Sequence, residues 1–297
     1  MKRVLFLSVI IFVTNFSAQP KMNLEDLKTK IQNYIDEIHG VVAVSFINME
    51  NGERFNINAD EEFHAASTMK LPVMIELFRQ SEFGDINLLD SIIIKNEFIS
   101  IADSSKYSLS KNDDSDDEIY SLIGKKLTVL ELCHRMITKS SNLATNILIE
   151  FVDAKKIMHT MRNVGAQRIK VLRGVEDIHA FQKGMNNVTT ANDLAIILES
   201  MIENHFTSEK STIKMIDILL EQEHNDLIPK LLPTDVKVAH KTGWITGIMH
   251  DAGIIFLPDG RKYVLVLLTK NLADENSARL SLQKISYEVY KYFNENK

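Results

Sequence analysis

Residues 64–77 read HAASTMKLPVMIEL, an apolar run that carries a serine and, three positions later, a lysine. Pro72 has no N–H to donate, and a helix tolerates proline within its first turn, where that N–H would have no partner. The run therefore predicts a helix that begins at residue 67 or 68. After the proline, Glu76 alone interrupts the apolar residues as far as Phe78, so we expect protein to surround most of this helix.

This placement gives Ser67 and Lys70 a possible chemical role. Ser67 would lie at the positive N-terminal end of a buried helix, where free N–H groups can receive a developing negative charge. Residues three apart share one helical face, so the Lys70 amine can reach the Ser67 hydroxyl and, if its pKa is lowered by burial, accept its proton. The same serine–lysine spacing begins again at residues 108, 211 and 281. The spacing alone therefore leaves open an activated nucleophile and the polar start of a buried helix.

The first residues have the pattern of an export signal. Lys2 and Arg3 form a basic start, VLFLSVIIFV is an apolar core too short to span a bilayer, and NFSAQ supplies small residues. We predict a signal peptide over residues 1–18, cleaved after Ala18. The mature protein is then expected to be periplasmic or secreted, with no membrane attachment after cleavage.

Composition limits the classes of partner. The chain has 297 residues, of which 45% are hydrophobic, and a formal net charge of -6. A large core in one or two domains is expected, and the negative balance argues against nucleic acid or an anionic membrane as partner. The acidic cluster NDDSDDE at 112–118 lacks the glycine and the terminal glutamate of a calcium loop, so it is predicted to be a solvated loop. Cys133, the only cysteine, is predicted to be a buried thiol.

Three zones follow one another along the chain. Residues 41–57 alternate in polarity and turn at Asn51-Gly52, which predicts a β-hairpin. The middle reads as helices joined by polar loops, whereas VKVAHKTG, HDAGIIFL and KYVLVLLT near the end are β-rich and precede a last amphipathic helix. The pattern predicts an α+β fold: one antiparallel sheet built from both chain ends with flanking helices, plus an inserted all-helical subdomain. The predicted α/β subdomain comprises residues 22–66 and 213–297, and the helical subdomain comprises residues 67–212.

Two further motifs carry polar groups that suit a binding site. HKTGWITG at 240–247 places Lys241 and Thr242 on a predicted strand, where a cation and a hydroxyl can hold a carboxylate and Gly243 lets a ligand approach the backbone. MITKSSNLATNIL places Ser140 and Asn142 at a junction between two helices. Residues of these types at such a junction are most often helix caps.

Taken together, the three motifs resemble a known set. Ser67-x-x-Lys70, then Ser140-x-Asn142, then Lys241-Thr242-Gly243 is the motif order of the penicillin-recognising serine enzymes. The chain resembles class A β-lactamases and β-lactamase-like serine hydrolases over its whole mature length, and LTVLELCHRMITKSSNLATNIL is similar to that family's central helix pair. The resemblance implies a β-lactamase/transpeptidase-like fold and a monomer without a cofactor that opens a small-molecule β-lactam through an acyl-serine intermediate, and with it antibiotic resistance.

The resemblance also implies roles for individual residues. Ser67 is expected to be the acylated nucleophile, Lys70 its base or proton relay, and Ser140 the group that passes a proton to the leaving nitrogen. The backbone N–H groups of Ser67 and Trp244 are expected to form the oxyanion hole, and Asn146 to brace the loop that carries the deacylating glutamate. The implied substrate-binding residues are Asn142, Lys241, Thr242, Gly243 and Trp244.

The loop LRGVEDIHAFQKGMNNVTTAND departs from the family pattern. Class A enzymes have an arginine, a glutamate two residues later and an asparagine four beyond that, whereas here Arg173 and Glu176 are three apart and Ala180 stands where the asparagine would fall. We predict that Glu176 is the general base that activates water. The alternative is a surface carboxylate paired with Arg173. Asn186 or Asn187 is a candidate for the missing amide.

Other classes of function make different demands on the sequence. Zinc hydrolysis would need clustered ligands such as H-x-H-x-D or H-E-x-x-H, and none of the nine histidines makes such a pattern, so no metal is predicted. Poor deacylation would make the protein a D-alanyl-D-alanine peptidase-like or penicillin-binding hydrolase. A third alternative is a secreted binding module with a relic site.

Residues beside the third motif leave smaller questions. His250 and Asp251 are expected either to form a structural pair or to lie at the cleft edge. Trp244 and Ile245 are expected to restrict bulky substrate side chains. The sequence singles out no arginine as an additional carboxylate clamp.

Overall fold

The computed structural model describes residues 22–296. The predicted signal peptide, residues 1–18, lies outside the described residues. Within residues 22–296, none of the helices has the length and apolar character needed to cross a membrane.

The described residues form the following helices and strands. The α-helices are α1 (Leu24–Asp36), α2 (Lys70–Glu82), α3 (Val129–Thr138), α4 (Asn142–Val152), α5 (Ala154–Asn163), α6 (Ile178–Gln182), α7 (Ala191–Ile202), α8 (Glu209–Leu220) and α9 (Glu275–Glu295). The strands are β1 (Val41–Asn48), β2 (Arg54–Ile57), β3 (Phe63–His64), β4 (Ser91–Ile93), β5 (Phe98–Ile99), β6 (Lys106–Tyr107), β7 (Lys126–Thr128), β8 (Val188–Thr189), β9 (Lys237–Ile245), β10 (Ile248–Phe256) and β11 (Lys262–Lys270).

One five-stranded antiparallel sheet joins the two ends of the chain. Its strand order is β2-β1-β11-β10-β9, so the N-terminal hairpin pairs with the last strand of the C-terminal meander. The predicted α+β fold is confirmed. The turn between β1 and β2 lies at Asn51-Gly52, as predicted, with Gly52 at φ 73°. The edge strand β9, which carries the Lys-Thr-Gly motif, has one free side that faces the helical part of the chain.

Both faces of the sheet are buried, which explains why its strands read as nearly continuous apolar runs. On β1, Val42, Val44 and Phe46 belong to the apolar cluster that α1 and α9 cover. Ala43 and Ile47, which point the other way, belong to the larger cluster on the opposite face, to which α2 to α5, α7 and α8 contribute. The sheet is therefore the middle layer between two helical layers.

The segment around Ser67 differs in detail from the predicted helix. A 3-10 turn covers Ala66–Met69, and the α-helix itself begins at Lys70, two or three residues later than predicted. The cause lies just upstream, where Ala66 adopts a left-handed φ of 44° and Thr68 Oγ1 donates a hydrogen bond to the Ala65 carbonyl. Pro72 falls within the first turn of α2, as predicted.

The division into subdomains at residues 66/67 and 212/213 stays a prediction. The order of elements fits it in outline, because β1 and β2 precede α2 to α8 and β9 to β11 follow them. Helix α8, Glu209–Leu220, continues across the second boundary. This helix contacts both parts of the chain, because it packs on β9 as well as on α2 and α3.

Removing the Phe46 ring should destabilise the fold strongly. The ring is fully buried and lies against Phe55, Tyr263 and Tyr292 at centroid distances of 5.3, 5.8 and 6.3 Å. We expect Phe46→Ala to lower the free energy of unfolding by about 3–5 kcal/mol in urea titrations. Phe83→Ala is the matched control, because Phe83 is 70% exposed. Equal losses in the two variants would contradict this account of the core.

Candidate active site

Ser67 lies where the 3-10 turn before α2 meets the edge strand β9. A Cβ placed on Gly243 would lie 3.0 Å from the Ser67 backbone nitrogen and 3.2 Å from the Ala66 Cβ. Only glycine lets β9 approach so closely. The third motif therefore brings the backbone of β9 beside the Ser67 N–H, which is the arrangement that an oxyanion hole between residues 67 and 244 requires.

Two histidines hold the turn that precedes Ser67. His64 Nδ1 accepts the Ala66 N–H at 3.0 Å, and the His250 Nε2–H group donates to the His64 carbonyl oxygen at 2.9 Å. His250 Nδ1 accepts the Thr269 N–H, and burial lowers the pKa of His250 to about 4, so the ring is neutral. The sequence singled out His250 but gave no signal for His64, because its role depends on which backbone group faces its ring.

His250 and Asp251 do not pair with each other. Their side chains point to opposite faces of β10, and Asp251 Oδ1 lies 2.8 Å from His240 Nδ1 in a fully buried pair. Asp251 Oδ2 accepts the Ile228 N–H at 3.0 Å. The sequence left open a structural pair or a place at the cleft edge. His250 lies at the cleft edge, whereas Asp251 forms a structural pair with His240.

Lys70 is completely buried, and its ammonium group makes its hydrogen bonds across the helical layer. Its Nζ atom lies 2.5 Å from the Ser140 carbonyl oxygen, 3.2 Å from Ser140 Oγ and 2.9 Å from Asn142 Oδ1. The Ser67 hydroxyl is not among its partners. Burial lowers the pKa of Lys70 to about 7, against the opposing influence of the Asp114 charge. Near neutral pH a large fraction of this amine is therefore free to accept a proton.

Lys241 reaches the same serine from the other side. Its Nζ atom lies 3.1 Å from Ser140 Oγ and 2.9 Å from the Thr242 carbonyl oxygen. Burial and the neighbouring Lys70 charge hold the pKa of Lys241 well below its usual range. Ser140 is thus the shared contact of both lysines, and its left-handed φ of 60° turns its hydroxyl and its carbonyl toward Lys70.

The acidic cluster at 112–118 is not a solvated loop throughout, so that prediction was wrong for two residues. Asp114 is 8% exposed and accepts the backbone N–H groups of Asn142 and Leu143 at 3.0 and 2.9 Å. It therefore fixes the start of α4, from which Asn142 reaches Lys70. Asp116 is 2% exposed and accepts two hydrogen bonds of 2.8 Å from Arg135. Charge density along the sequence could not show which carboxylates face a helix terminus or an arginine.

Glu176 lies at the edge of the cleft, in the loop whose sequence departs from the class A pattern. Its Oε2 atom accepts the Ser110 N–H at 3.2 Å, and its buried Oε1 atom has no hydrogen-bond partner within the described residues. Burial raises the pKa of Glu176, and the charges of Asp113 and Asp114 act in the same direction, while the Ser110 N–H and the Asn142 amide oppose the shift.

Arg173 does not provide the ion pair that was the alternative to a catalytic Glu176. Its guanidinium donates to the Gly174 carbonyl oxygen at 3.0 Å and lies over the Phe181 ring, 5.6 Å from the centroid. Between residues 22 and 296 no ion pair joins Arg173 to Glu176. The surface-pair interpretation is therefore wrong.

Two asparagines hold the loop in place. Asn146 accepts the Val175 N–H at 2.6 Å and donates to the Val175 carbonyl oxygen at 2.9 Å, so it makes the bracing contact expected of it. Asn187 accepts the N–H groups of Leu172 and Arg173 at 2.8 and 3.1 Å and donates to the Arg173 carbonyl oxygen at 3.0 Å. Asn187 therefore closes the base of the loop. The side-chain oxygen of Asn186 is buried without a partner among the described residues.

Most of the predicted site residues line one continuous cleft made of two adjoining cavities of about 310 and 490 Å³, which share Ser67 and Trp244. Lys70 and Lys241 are fully buried and reach this cleft through their contacts with Ser140. The smaller cavity also contains Ser140, Thr242 and Gly243. The larger one contains Asn142 and Glu176. Trp244 is 60% exposed at the rim, and its Nε1–H group donates to Glu275 on α9 at 2.9 Å.

Arg279 is a cleft residue that sequence reasoning missed. It projects from α9 into the cavity that holds Ser67, Ser140 and Thr242, and no side chain of residues 22–296 forms an ion pair with it. No motif surrounds it, because it belongs to the amphipathic pattern of a long helix. In the same residues, no group of three or more His, Cys, Asp or Glu side chains is placed to hold a metal ion.

Comparison with known protein families identifies the family of this chain. The model of the beta-lactamase enzyme family matches residues 26–293. The chain belongs to the beta-lactamase enzyme family.

Relatives within this broad family are distant but cover nearly the whole chain. The extended-spectrum beta-lactamase PER-1 of Pseudomonas aeruginosa is 24% identical over 93% of this chain and 89% of its own length. Among solved structures, TLA-3 extended-spectrum beta-lactamase matches with a TM-score of 0.79 at 21% identity, over 91% of this chain and 99% of its own. PBP-A matches with a TM-score of 0.77 at 24% identity, over 93% and 98%. At these identities the structural matches establish the fold.

Membership of the beta-lactamase enzyme family agrees with the fold expected from the three motifs. It does not assign the residue roles, which rest on the geometry of the cleft. That geometry brings Ser67, Ser140 and Thr242 into one cavity and connects Lys70 to Lys241 through the Ser140 hydroxyl.

The pKa of Lys70 is directly measurable. In protein labelled with ¹³C at the lysine ε-carbon, we expect the Lys70 signal to titrate with a midpoint of about 7, whereas exposed lysines titrate at about 10.4. A Lys70→Gln variant, which lacks this signal, assigns it. A Lys70 midpoint above about 9 would contradict the desolvation on which the proton transfer depends.

Proposed function

We propose that this protein is a class A-like serine β-lactamase that opens the β-lactam ring through an acyl-enzyme on Ser67. The observation that carries the proposal is the convergence of three motifs on one cleft, with the buried amines of Lys70 and Lys241 on either side of Ser140 Oγ. A nucleophile, a base of lowered pKa, a proton relay and a carboxylate-binding cation are the parts that such acyl transfer needs.

In the proposed acylation, Ser67 Oγ forms a bond to the lactam carbonyl carbon while the neutral Lys70 amine takes the hydroxyl proton. The negative charge on the carbonyl oxygen is received by the backbone N–H groups of Ser67 and Trp244. The lactam C–N bond then breaks, and the proton passes from Lys70 through Ser140 to the leaving nitrogen. The contact of Lys70 Nζ with Ser140 Oγ at 3.2 Å supports this path.

In the proposed deacylation, Glu176 takes a proton from water as the water oxygen attacks the ester carbon. The bond between that carbon and Ser67 Oγ breaks, and the proton returns to Ser67, so the net reaction adds one water molecule to the lactam. A raised pKa brings the Glu176 carboxylate closer to the operating pH, which favours general-base catalysis. The position of Glu176 in the cavity that contains Ser67 supports this role.

A carboxylate on the substrate would bind at the other end of the cleft. Thr242 supplies a hydroxyl on the edge strand beside the buried Lys241 amine, and Arg279 brings a guanidinium cation into the cavity that contains Thr242. Guanidinium groups hold carboxylates with two parallel hydrogen bonds. We propose that Arg279 is the carboxylate clamp for which the sequence offered no candidate.

A second candidate keeps the acyl-enzyme but not its hydrolysis. The departure of the Arg173–Glu176 spacing from the class A pattern favours a penicillin-binding or D-alanyl-D-alanine peptidase-like hydrolase with poor deacylation. The likeness to PBP-A points in the same direction, and one solved structure of a PBP-A mutant is described as an acyl-enzyme complex with penicillin G. The two candidates share every step up to the ester.

The proposal places the protein outside the cytoplasm, in the periplasm or secreted. The basic and apolar start of the sequence supports that location. There the enzyme would meet β-lactams before they reach cell-wall synthesis, and its biological effect would be antibiotic resistance.

The deciding experiment follows a chromogenic cephalosporin and the intact protein mass in parallel. We expect sustained turnover by the mature protein, no turnover and no adduct with Ser67→Ala, and a stable adduct without turnover with Glu176→Gln. A single burst by the unaltered protein with a stable adduct would select the penicillin-binding alternative. If neither a colour change nor an adduct were observed, the alternative of a binding module without activity would remain.

Substrate binding tests Arg279 separately. We expect Arg279→Ala to raise KM for a carboxylate-bearing substrate about tenfold, since a hydrogen bond to a charged group contributes about 1.5–3 kcal/mol. The value of kcat should change little, because the carboxylate does not react. Arg54→Ala is the matched control, because Arg54 lies on β2 and pairs with Glu199 away from the cleft. Unchanged KM in Arg279→Ala would contradict the clamp.

A further inference from the structure

The hairpin formed by β5 and β6, residues 98–107, lies against the loop that carries Glu176. Lys183 Nζ donates to the Ala102 carbonyl oxygen at 2.9 Å, and His179 Nδ1 lies 2.8 Å from Asp103 Oδ2. These contacts are on the exposed side of the hairpin. Beyond its second strand, the Ser110 N–H donates to Glu176 itself.

The central contact between the two segments is buried. Asp177 is 1% exposed and Ser100 is 3% exposed. Asp177 Oδ1 accepts the Ser100 hydroxyl at 2.7 Å and the Ala180 N–H at 3.0 Å, while Oδ2 accepts the Ile101 N–H at 3.1 Å. One carboxylate thus caps α6 and fastens it to the hairpin with charge-assisted hydrogen bonds, which are among the strong ones in proteins.

The hairpin is itself firmly placed. Phe98 is 2% exposed and packs in the large apolar cluster, with its ring 5.8 Å from the Tyr107 ring. The Ser100 N–H donates to the Ser105 carbonyl oxygen at 2.8 Å and closes the turn. A hydrogen bond to this hairpin therefore fixes the position of the loop relative to the protein core.

Glu176 lies between two anchored neighbours. Asn146 of α4 holds the backbone of Val175, and the hairpin holds the side chain of Asp177. Between them Glu176 adopts a left-handed φ of 63°. That conformation costs a residue with a side chain about 1–2 kcal/mol and persists only where the surroundings impose it.

Resting on the proposed function, we propose that Asp177 and Ser100 are positioning residues for deacylation. Through Asp177, the hairpin holds the Glu176 carboxylate at the position in the cleft from which it can take a proton from water. Release of this anchor lets residue 176 relax toward an ordinary φ and moves the carboxylate, and a displacement of about 1 Å can cost about a hundredfold in rate. Ser67, Lys70 and Ser140 lie on other elements, so acylation does not depend on the anchor.

The test separates the two half-reactions. A penicillin is mixed with the unaltered protein and with each of two variants, Ser100→Ala and Asp177→Asn. Stopped-flow kinetics give the rates of acylation and deacylation, and mass spectrometry gives the fraction of protein that carries the acyl adduct. Tyr292→Phe is the matched control, because its hydroxyl also donates to a carboxylate, that of Glu53, but on the far face of the sheet. Thermal unfolding establishes that each variant is folded.

We expect both loop variants to deacylate at least about tenfold more slowly, with an acylation rate constant within about twofold of the unaltered protein, so that the adduct accumulates. Tyr292→Phe should match the unaltered protein in both steps. Unchanged deacylation in folded Ser100→Ala overturns the proposal, as does an equal fall of both steps, which would indicate general loosening. An unaltered protein that never acylates, or never releases its adduct, contradicts the proposed hydrolysis first and the positioning role with it.

Discussion

Two completely buried lysines on either side of one serine hydroxyl are the interaction on which the rest of the site depends. Lys70 comes from the first turn of α2, Lys241 from the edge strand β9, and Ser140 from the junction of α3 and α4. Burial lowers the pKa of Lys70 to about 7, and burial together with the Lys70 charge holds the pKa of Lys241 well below its usual range. Near neutral pH a large fraction of Lys70 is therefore the free amine, which is the form that can accept a proton.

The surrounding contacts are arranged to keep that cluster in place. Asp114 holds the start of α4 and so the amide of Asn142 against Lys70. The absence of a side chain at Gly243 lets β9 lie against the turn that carries Ser67. Each contact joins segments that are far apart in sequence. The site therefore exists only when the sheet from the chain ends and the helical middle have packed together.

The features that could be predicted from the sequence are those that depend on local residue patterns. Alternation and the Asn51-Gly52 turn predicted the hairpin, and the family resemblance carried by the three motifs predicted that Ser67, Ser140 and Lys241 share one site. The sequence could not show that Lys70 bonds to Ser140 instead of Ser67, or that Asp114 is buried, because both depend on distant segments. The roles proposed for Arg279 and Asp177 could not be predicted from the sequence for the same reason. The cavity that Arg279 faces and the hairpin that Asp177 contacts are formed by segments distant in sequence.

The most direct test of the central claim is the rate and the position of acylation as pH is varied. A penicillin adduct mapped by peptide mass should lie on Ser67, and its rate of formation should rise about tenfold per pH unit below the Lys70 pKa of about 7 and level off above it. The rise follows the neutral amine, because a lysine with a lowered pKa loses its proton as pH passes that value. An adduct on another residue, or a rate independent of pH between about 5 and about 9, would contradict the account.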